Sequence, residues 1–162
     1  MGNVINIFEK QYVIVPLHLF NHWTVIIFEP IKKIIHYFDS FINKTSETSK
    51  LKVSNVVKPF IKYLQREVSD KCFQYDLKEL KVKIVEEKTT QLNSVDCGLF
   101  MILYITLFLD GKSYKLVDCN EMEFIRKKLL LKILTQLQDK PKIIEYIVDS
   151  EEEKDVDFVF VN

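Results

Sequence analysis

Apolar residues fall in short blocks, and the spacing within each block predicts an element. Tyr12 to Leu17 is a β-branched apolar run closed by Pro16, which predicts a short strand. His22 to Glu29 predicts a second strand. Glu29-Pro30-Ile31-Lys32-Lys33 predicts a turn, because proline presets φ for a turn position. Ile34 to Asp39 then predicts a third strand, so 22–39 is expected to be a β-hairpin. A polar stretch from Asn43 to Lys50 leads into a helix over roughly 50–67, with Val53, Val56, Val57, Phe60, Ile61 and Leu64 on its apolar face. Pro59 in that span predicts a kink or a late helix start. Leu80 to Val85 alternates and predicts a half-exposed strand, followed by a polar loop over 86–96. Cys97 to Leu109 predicts a helix stopped at Asp110-Gly111, with glycine as the C-cap. A last helix is expected over about 121–138, with Asn120 as N-cap and Met122, Phe124, Ile125, Leu129, Leu130, Ile133 and Leu137 on its apolar side. The expected class is α+β, a short antiparallel sheet flanked by helices.

The 162 residues suit one domain, expected over 1–148 with a tail over 149–162. Basic and acidic residues number 23 each, so bulk charge offers no hold on nucleic acid. The tail holds six acids (Asp149, Glu151, Glu152, Glu153, Asp155 and Asp157) against Lys154, and is expected to be solvated. Its alternating end, Val156 to Val161, offers a second reading as a strand added to a sheet edge, here or on a partner. The longest apolar run, Gly98 to Leu109, is 12 residues, short of the ~20 that span a bilayer. Three cysteines (Cys72, Cys97 and Cys119) are too few for a disulfide scaffold, and the start of the chain lacks a secretory signal, which together suggest an intracellular setting. The cysteines and histidines show no metal-ligand spacing on one element, and Cys72 and Cys119 are expected to be structural or surface thiols. Only three glycines are present and none builds a phosphate loop, so no cofactor is expected.

Cys97 stands out by its flanks. Asp96 is a preferred N-cap residue, which places Cys97 at the first helical position, where unpaired N–H groups and the helix dipole favour a thiolate. Asp96 is expected to cap an N–H further into the first turn, leaving the N–H of Cys97 free as half of an oxyanion hole. Gly98 is expected to keep space beside the sulfur clear for substrate backbone. A thiolate nucleophile needs a base, and the base needs an orienter. Of His18, His22 and His36, only His22 comes with a placed acid. If His22 faces Asp39 across the hairpin, opposed positions sum to 61 and the pairing centres between Pro30 and Ile31, within about a residue of the predicted turn. Asp39 would then orient the ring of His22 toward Cys97. His36 falls in mid-hairpin and is expected to pack or face solvent. Gln91, six residues before Cys97, is either a solvated side chain or an N–H donor completing the oxyanion hole, worth ~3–4 kcal/mol in comparable sites. Trp23 is either core or a flat apolar roof over a narrow substrate channel.

His22-Trp23, Asp39 seventeen residues on, and Gln91-Leu92-Asn93-Ser94-Val95-Asp96-Cys97-Gly98 resemble the pattern of the ubiquitin-like-protein-specific (sentrin/SUMO-specific) cysteine proteases, over roughly residues 11–137. The resemblance implies a papain-like fold with Cys97 as nucleophile, His22 as base, Asp39 as its orienter and Gln91 in the oxyanion hole. It implies substrate contacts from Trp23, Asp96 and Gly98, with Trp23 lining a tunnel for a Gly-Gly tail. The implied activity is cleavage after the C-terminal Gly-Gly of a ubiquitin-like modifier, from a precursor or at an isopeptide bond. SUMO is the first partner it suggests, with Nedd8 or ubiquitin next, acted on by a monomer in the nucleus or cytoplasm without nucleic acid or membrane. About ten residues precede Tyr12, fewer than catalytic domains of the family usually carry, so part of the modifier-binding surface is expected to be missing. Two other readings remain: an acetyltransferase using the same triad, and a relative that binds a modifier without turnover.

Overall fold

The computed structural model describes residues 5–42, 46–115, 121–139 and 159–161. Its strands are β1 (Tyr12–Leu19), β2 (His22–Glu29), β3 (Ile34–Phe38), β4 (Lys81–Ile84) and β5 (Val159–Val161), and its helices are α1 (Glu47–Asp70), α2 (Cys97–Leu109) and α3 (Met122–Asp139). The strands form one sheet in the order β4-β3-β2-β1-β5. β1, β2 and β3 pair antiparallel, as expected of a meander built on tight turns. The expectation of a wholly antiparallel sheet fails at β4, which pairs parallel to β3. Its cause is α1, whose 24 residues carry the chain back along the sheet, as a parallel connection requires. At the far edge β5 pairs antiparallel with β1, so the alternating end of the acidic block takes the strand role. The rest of that block, and the expected N-cap Asn120, lie outside the described residues.

Each face of the sheet has its own core, as strand alternation dictates. Val13, Val15, Ile26, Phe28, Ile35 and Tyr37 point to one side and bury Val53, Val57, Phe60 and Leu64 of α1. Ile14, Val25, Ile27 and Phe38 point to the other and bury Phe100 and Tyr104 of α2, with Met122 at the start of α3. Helix α1 starts at Ser46, whose side chain accepts from the N–H of Ser49, and runs through Pro59 without a break. The expected alternative of a late start does not occur, since the helix is continuous from Glu47 to Asp70. Pro59 is exposed, so the carbonyl left without its N–H faces water, while buried residues on both sides clamp the helix to the sheet. Helix α3 is less buried than its apolar count suggests: Phe124, Leu130, Leu131, Ile133 and Leu134 are exposed. Among the described residues, no helix is long and apolar enough to cross a membrane.

The hairpin register corrects the arithmetic above. Opposed positions sum to 63, from Val25 opposite Phe38 to Glu29 opposite Ile34. Pro30 to Lys33 form the four-residue turn, closed by the Lys33 N–H on the Pro30 carbonyl, with Lys33 at a φ of 57°. The centre lies one residue beyond the predicted one. A shift of two in the sum keeps every side chain on its face, whereas a shift of one would have reversed them. His22 lies beyond the last paired position, Val25 with Phe38, and meets Asp39 diagonally, with Phe41 of the following turn stacked on its ring.

Beyond that turn, β2 and β3 hold a second imidazole–carboxylate pair. His36 Nε2 lies 2.7 Å from Glu29 Oε1, both buried, and Lys32 lies 2.6 Å from Glu29 Oε2. His36 thus packs in the core, its ring edge-on to Phe108 of α2. Burial holds its imidazole below the usual range, against the pull of Glu29 and with the help of Lys83 and Lys32. Burial pushes Glu29 up, but the bonds from Lys32 and His36 outweigh it and leave the carboxyl below its ordinary range. In both cases the unfolded chain binds more protons than the native one, so stability is present above the unfolded values and lost on acidification. The window opens near the ordinary imidazole value of about 6.5 and extends below the ordinary carboxyl value of about 4.5. Urea unfolding at pH 7.5 and 5.5 should show the midpoint falling, and His36→Phe should shrink that fall.

Candidate active site

Asp39 directly follows β3 with 2% of its surface exposed. A buried carboxylate needs partners. Oδ1 accepts from His22 Nε2 at 2.8 Å and from the Phe41 N–H at 2.9 Å. Oδ2 accepts from the Tyr37 hydroxyl at 3.5 Å and lies 3.6 Å from Lys52 Nζ. The Tyr37 hydroxyl, pushed up to about 12 by burial, remains a donor. An ionised carboxylate only accepts, so His22 presents Nε2–H to it and keeps the lone pair of Nδ1 for another group. Phe41 stacks on the His22 ring at 4.5 Å and 26°, fixing its plane from one side.

The segment 88–98 approaches this pair from across the sheet end. Gln91 is buried; its N–H donates to the Ser40 carbonyl at 3.1 Å, and its Oε1 accepts from the Ser40 hydroxyl. Its Nε2 donates to the Asn93 carbonyl at 2.6 Å, which uses one of two hydrogens. The solvated alternative for Gln91 is therefore set aside. Asn93 organises the loop: its Oδ1 accepts from the N–H groups of Val95 and Asp96, each at 3.0 Å, and its Nδ2 donates to Asp96 at 2.6 Å. Lys88, buried under the same turn, donates to the Ile42 carbonyl. Its ammonium is pulled down to about 8 by burial, with Asp39 and Glu86 opposing the shift.

Asp96 is the N-cap of α2 by position, but its side chain makes no capping bond, contrary to the sequence expectation. The carboxylate turns instead to Asn93 and to Arg126 of α3. A charge-assisted pair outcompetes a neutral N–H for those oxygens, and the first turn of α2 is left without a side-chain cap. Cys97 opens that turn and is 7% exposed. A Cβ added to Gly98 would lie 3.4 Å from Trp23 Cδ1. The space beside Gly98 is therefore filled by the Trp23 ring, and the small residue permits that approach. The same contact joins the neighbours of Cys97 and His22 across the sheet end. Trp23 is 38% exposed on the α2 side of β2, opposite to His22, with His18 tilted against it at 4.7 Å.

The structure thus brings His22 to Asp39 directly, Gln91 to the turn after Asp39, and the start of α2 to Trp23. Asn93, Ser40, Phe41, Lys88 and Arg126 were not singled out from sequence. Asn93 stood inside the quoted motif, while Phe41 and Lys88 carry no local signal. Cys72 is an exposed thiol, and Cys119 lies outside the described residues.

Residues 3–140 match the Ulp1 protease family, C-terminal catalytic domain. The chain is 29% identical over 136 residues to sentrin-specific protease 2 of Mus musculus, covering 82% of this chain and 21% of that protein. It is 27% identical over 130 residues to a putative ubiquitin-like-specific protease 1B of Arabidopsis thaliana, covering 80% of this chain and 36% of that one. In fold it is similar to the SUMO protease Ulp1 with its catalytic cysteine oxidised to a sulfenic acid, at a TM-score of 0.65 and 20% identity over 82% of this chain and 56% of that one. It is also similar to the C-terminal Ulp1 protease domain in complex with Smt3, the yeast orthologue of SUMO, at a TM-score of 0.59 and 20% identity over 75% of this chain and 51% of that one. The α+β architecture is that of Ulp1 catalytic domains. The chain belongs to the Ulp1 protease family, and it spans between a fifth and about a third of the length of these two curated relatives.

Proposed function

We propose that the chain is a thiol protease that cleaves after the C-terminal Gly-Gly of a ubiquitin-like modifier, SUMO first among them, in precursors or at isopeptide bonds to lysine. The observation that carries this is the His22–Asp39 pair at one end of β2, with Cys97 opening α2 and the next residue, Gly98, packed on Trp23, the neighbour of His22. A buried carboxylate held on an imidazole, beside a helix that opens on a cysteine, supports a nucleophile, a base and its orienter drawn from separate elements. Membership of the family and the likeness to the Smt3-bound domain support the substrate class.

In this reading Nδ1 of His22 takes the proton of the Cys97 thiol, and Sγ attacks the terminal glycine carbonyl. The oxyanion is held by the N–H of Cys97, which as the first helical residue has no intrahelical acceptor, and by the second Nε2 hydrogen of Gln91. Collapse of the tetrahedral intermediate breaks the C–N bond, and His22 returns the proton to the leaving amine. Water, deprotonated by His22, then hydrolyses the thioester. Asp39 holds the ring and stabilises the imidazolium without taking its proton. Trp23, packed on Gly98, is in this reading the wall past which the Gly-Gly tail reaches the sulfur.

The test is a panel of modifiers (SUMO, Nedd8 and ubiquitin) ending in an electrophile after Gly-Gly. Mass spectrometry should find a SUMO adduct on Cys97 and none on Cys72. Tight binding without an adduct would point to a non-catalytic relative, and the reading would fall.

A further inference from the structure

A cavity of about 590 Å³ opens on the side of His22 away from Trp23, with Leu19, Phe20, Tyr37, Phe41 and Val56 among its walls. His22 itself is part of the wall, and Lys52 and Asn55 stand at the α1 side. The mechanism above uses none of this space. Three observations say what it is for.

The first is position. Trp23 and Gly98 lie on the α2 side of the sheet end, with Cys97, whereas the cavity lies on the α1 side, beneath the imidazole. An imidazole that returns a proton to the departing amine must face that amine. The cavity borders that imidazole on the side away from Trp23, so a leaving segment that departs past His22 would enter it.

The second is the wall at Phe20. The β1–β2 turn has Phe20 at a φ of 52° and Asn21 at 61°, the pattern of a type I′ turn. Asparagine suits that backbone; phenylalanine does not, since its Cβ is crowded in the left-handed region. Phe20 is also fully exposed, so packing does not explain it. A strained, solvent-facing aromatic at the mouth of a site suits contact with a ligand.

The third is charge. Lys52 is more than half exposed and 3.6 Å from a carboxylate oxygen that also accepts from Tyr37, so its ammonium can also meet an acid at the cavity mouth.

We propose that this cavity is a subsite for the leaving-group segment of the substrate, taking an apolar side chain beside the scissile amide, with an acidic residue next to it reaching Lys52. This rests on the proteolytic reading of the same site and adds to it a preference on the far side of the cut.

The experiment compares three substrates that share the modifier found above: a C-terminal ethyl ester, and peptide conjugates with Leu or with Gly beside the scissile amide, each followed by Glu. kcat/KM for the Leu conjugate should exceed that for the Gly conjugate by about tenfold. Replacing Glu by Lys should lower it several-fold, an effect that fades at high salt. Phe20→Gly suits the turn and so preserves folding; it should abolish the Leu preference and leave ester hydrolysis unchanged. Equal rates for Leu and Gly, or a preference that survives Phe20→Gly, would overturn the subsite while leaving the protease intact. Failure to hydrolyse even the ester would count against the protease reading itself. The cavity is then read without turnover, by titrating both conjugates onto the Cys97→Ala chain. About tenfold tighter binding of the Leu conjugate supports the subsite, and equal affinity overturns it.

Discussion

Cys97→Ala should lower kcat/KM for modifier cleavage by about 10⁴-fold or more, the scale on which loss of a nucleophile acts in comparable hydrolases. Modifier affinity should hold within a few-fold, because the side chain is small and buried and its loss leaves the Trp23–Gly98 contact in place. Alanine also suits a first helical turn better than cysteine, so the variant should stay folded. Binding measured by calorimetry and turnover measured on the same preparation separate these two effects. Turnover near that of the unmodified chain would show that the thiol at the helix tip is not the nucleophile.

Asp39→Asn should lower kcat by roughly 10³–10⁴-fold, with little change in KM. The carboxylate is surrounded by donors: the ring of His22, the N–H of Phe41, the hydroxyl of Tyr37 and the ammonium of Lys52. An amide supplies one acceptor oxygen, and its NH₂ must point at one of those donors. Either His22 turns over to accept, which sends its N–H to Cys97, or a buried donor goes unpaired. The first outcome removes the base, and the second costs about 1–3 kcal/mol of stability. Turnover together with urea unfolding distinguishes them. Unaltered kcat would mean that Asp39 neither orients nor stabilises the imidazole.

Much of the site was legible because its signals are local. The flank Asp96-Cys97-Gly98 announced a helix start, and α2 begins at Cys97 as expected. The hairpin was legible from β-branched runs and Pro30, and the same-face placement of His22 and Asp39 survived a register error because the slip was even. Features settled by tertiary partners were not legible. Nothing near Asp96 says that Arg126, 30 residues on, will draw its carboxylate from the helix N-terminus. Nothing near Lys88 says that its ammonium will lie buried against the Ile42 carbonyl. The parallel pairing of β4 depends on where a 24-residue helix ends in space, and alternation of side chains is the same for either strand direction. That Pro59 does not delay the start of α1 depends on which face of the helix meets the core, which no local signal gives.

The most direct measurement is a crystal structure of the chain bonded to a SUMO ending in an electrophile. The account predicts the modifier tail on Sγ of Cys97, Nδ1 of His22 facing that sulfur, and Nε2 still on Asp39. A bonded sulfur with the imidazole turned away from it, or an adduct carried by another residue, would contradict it.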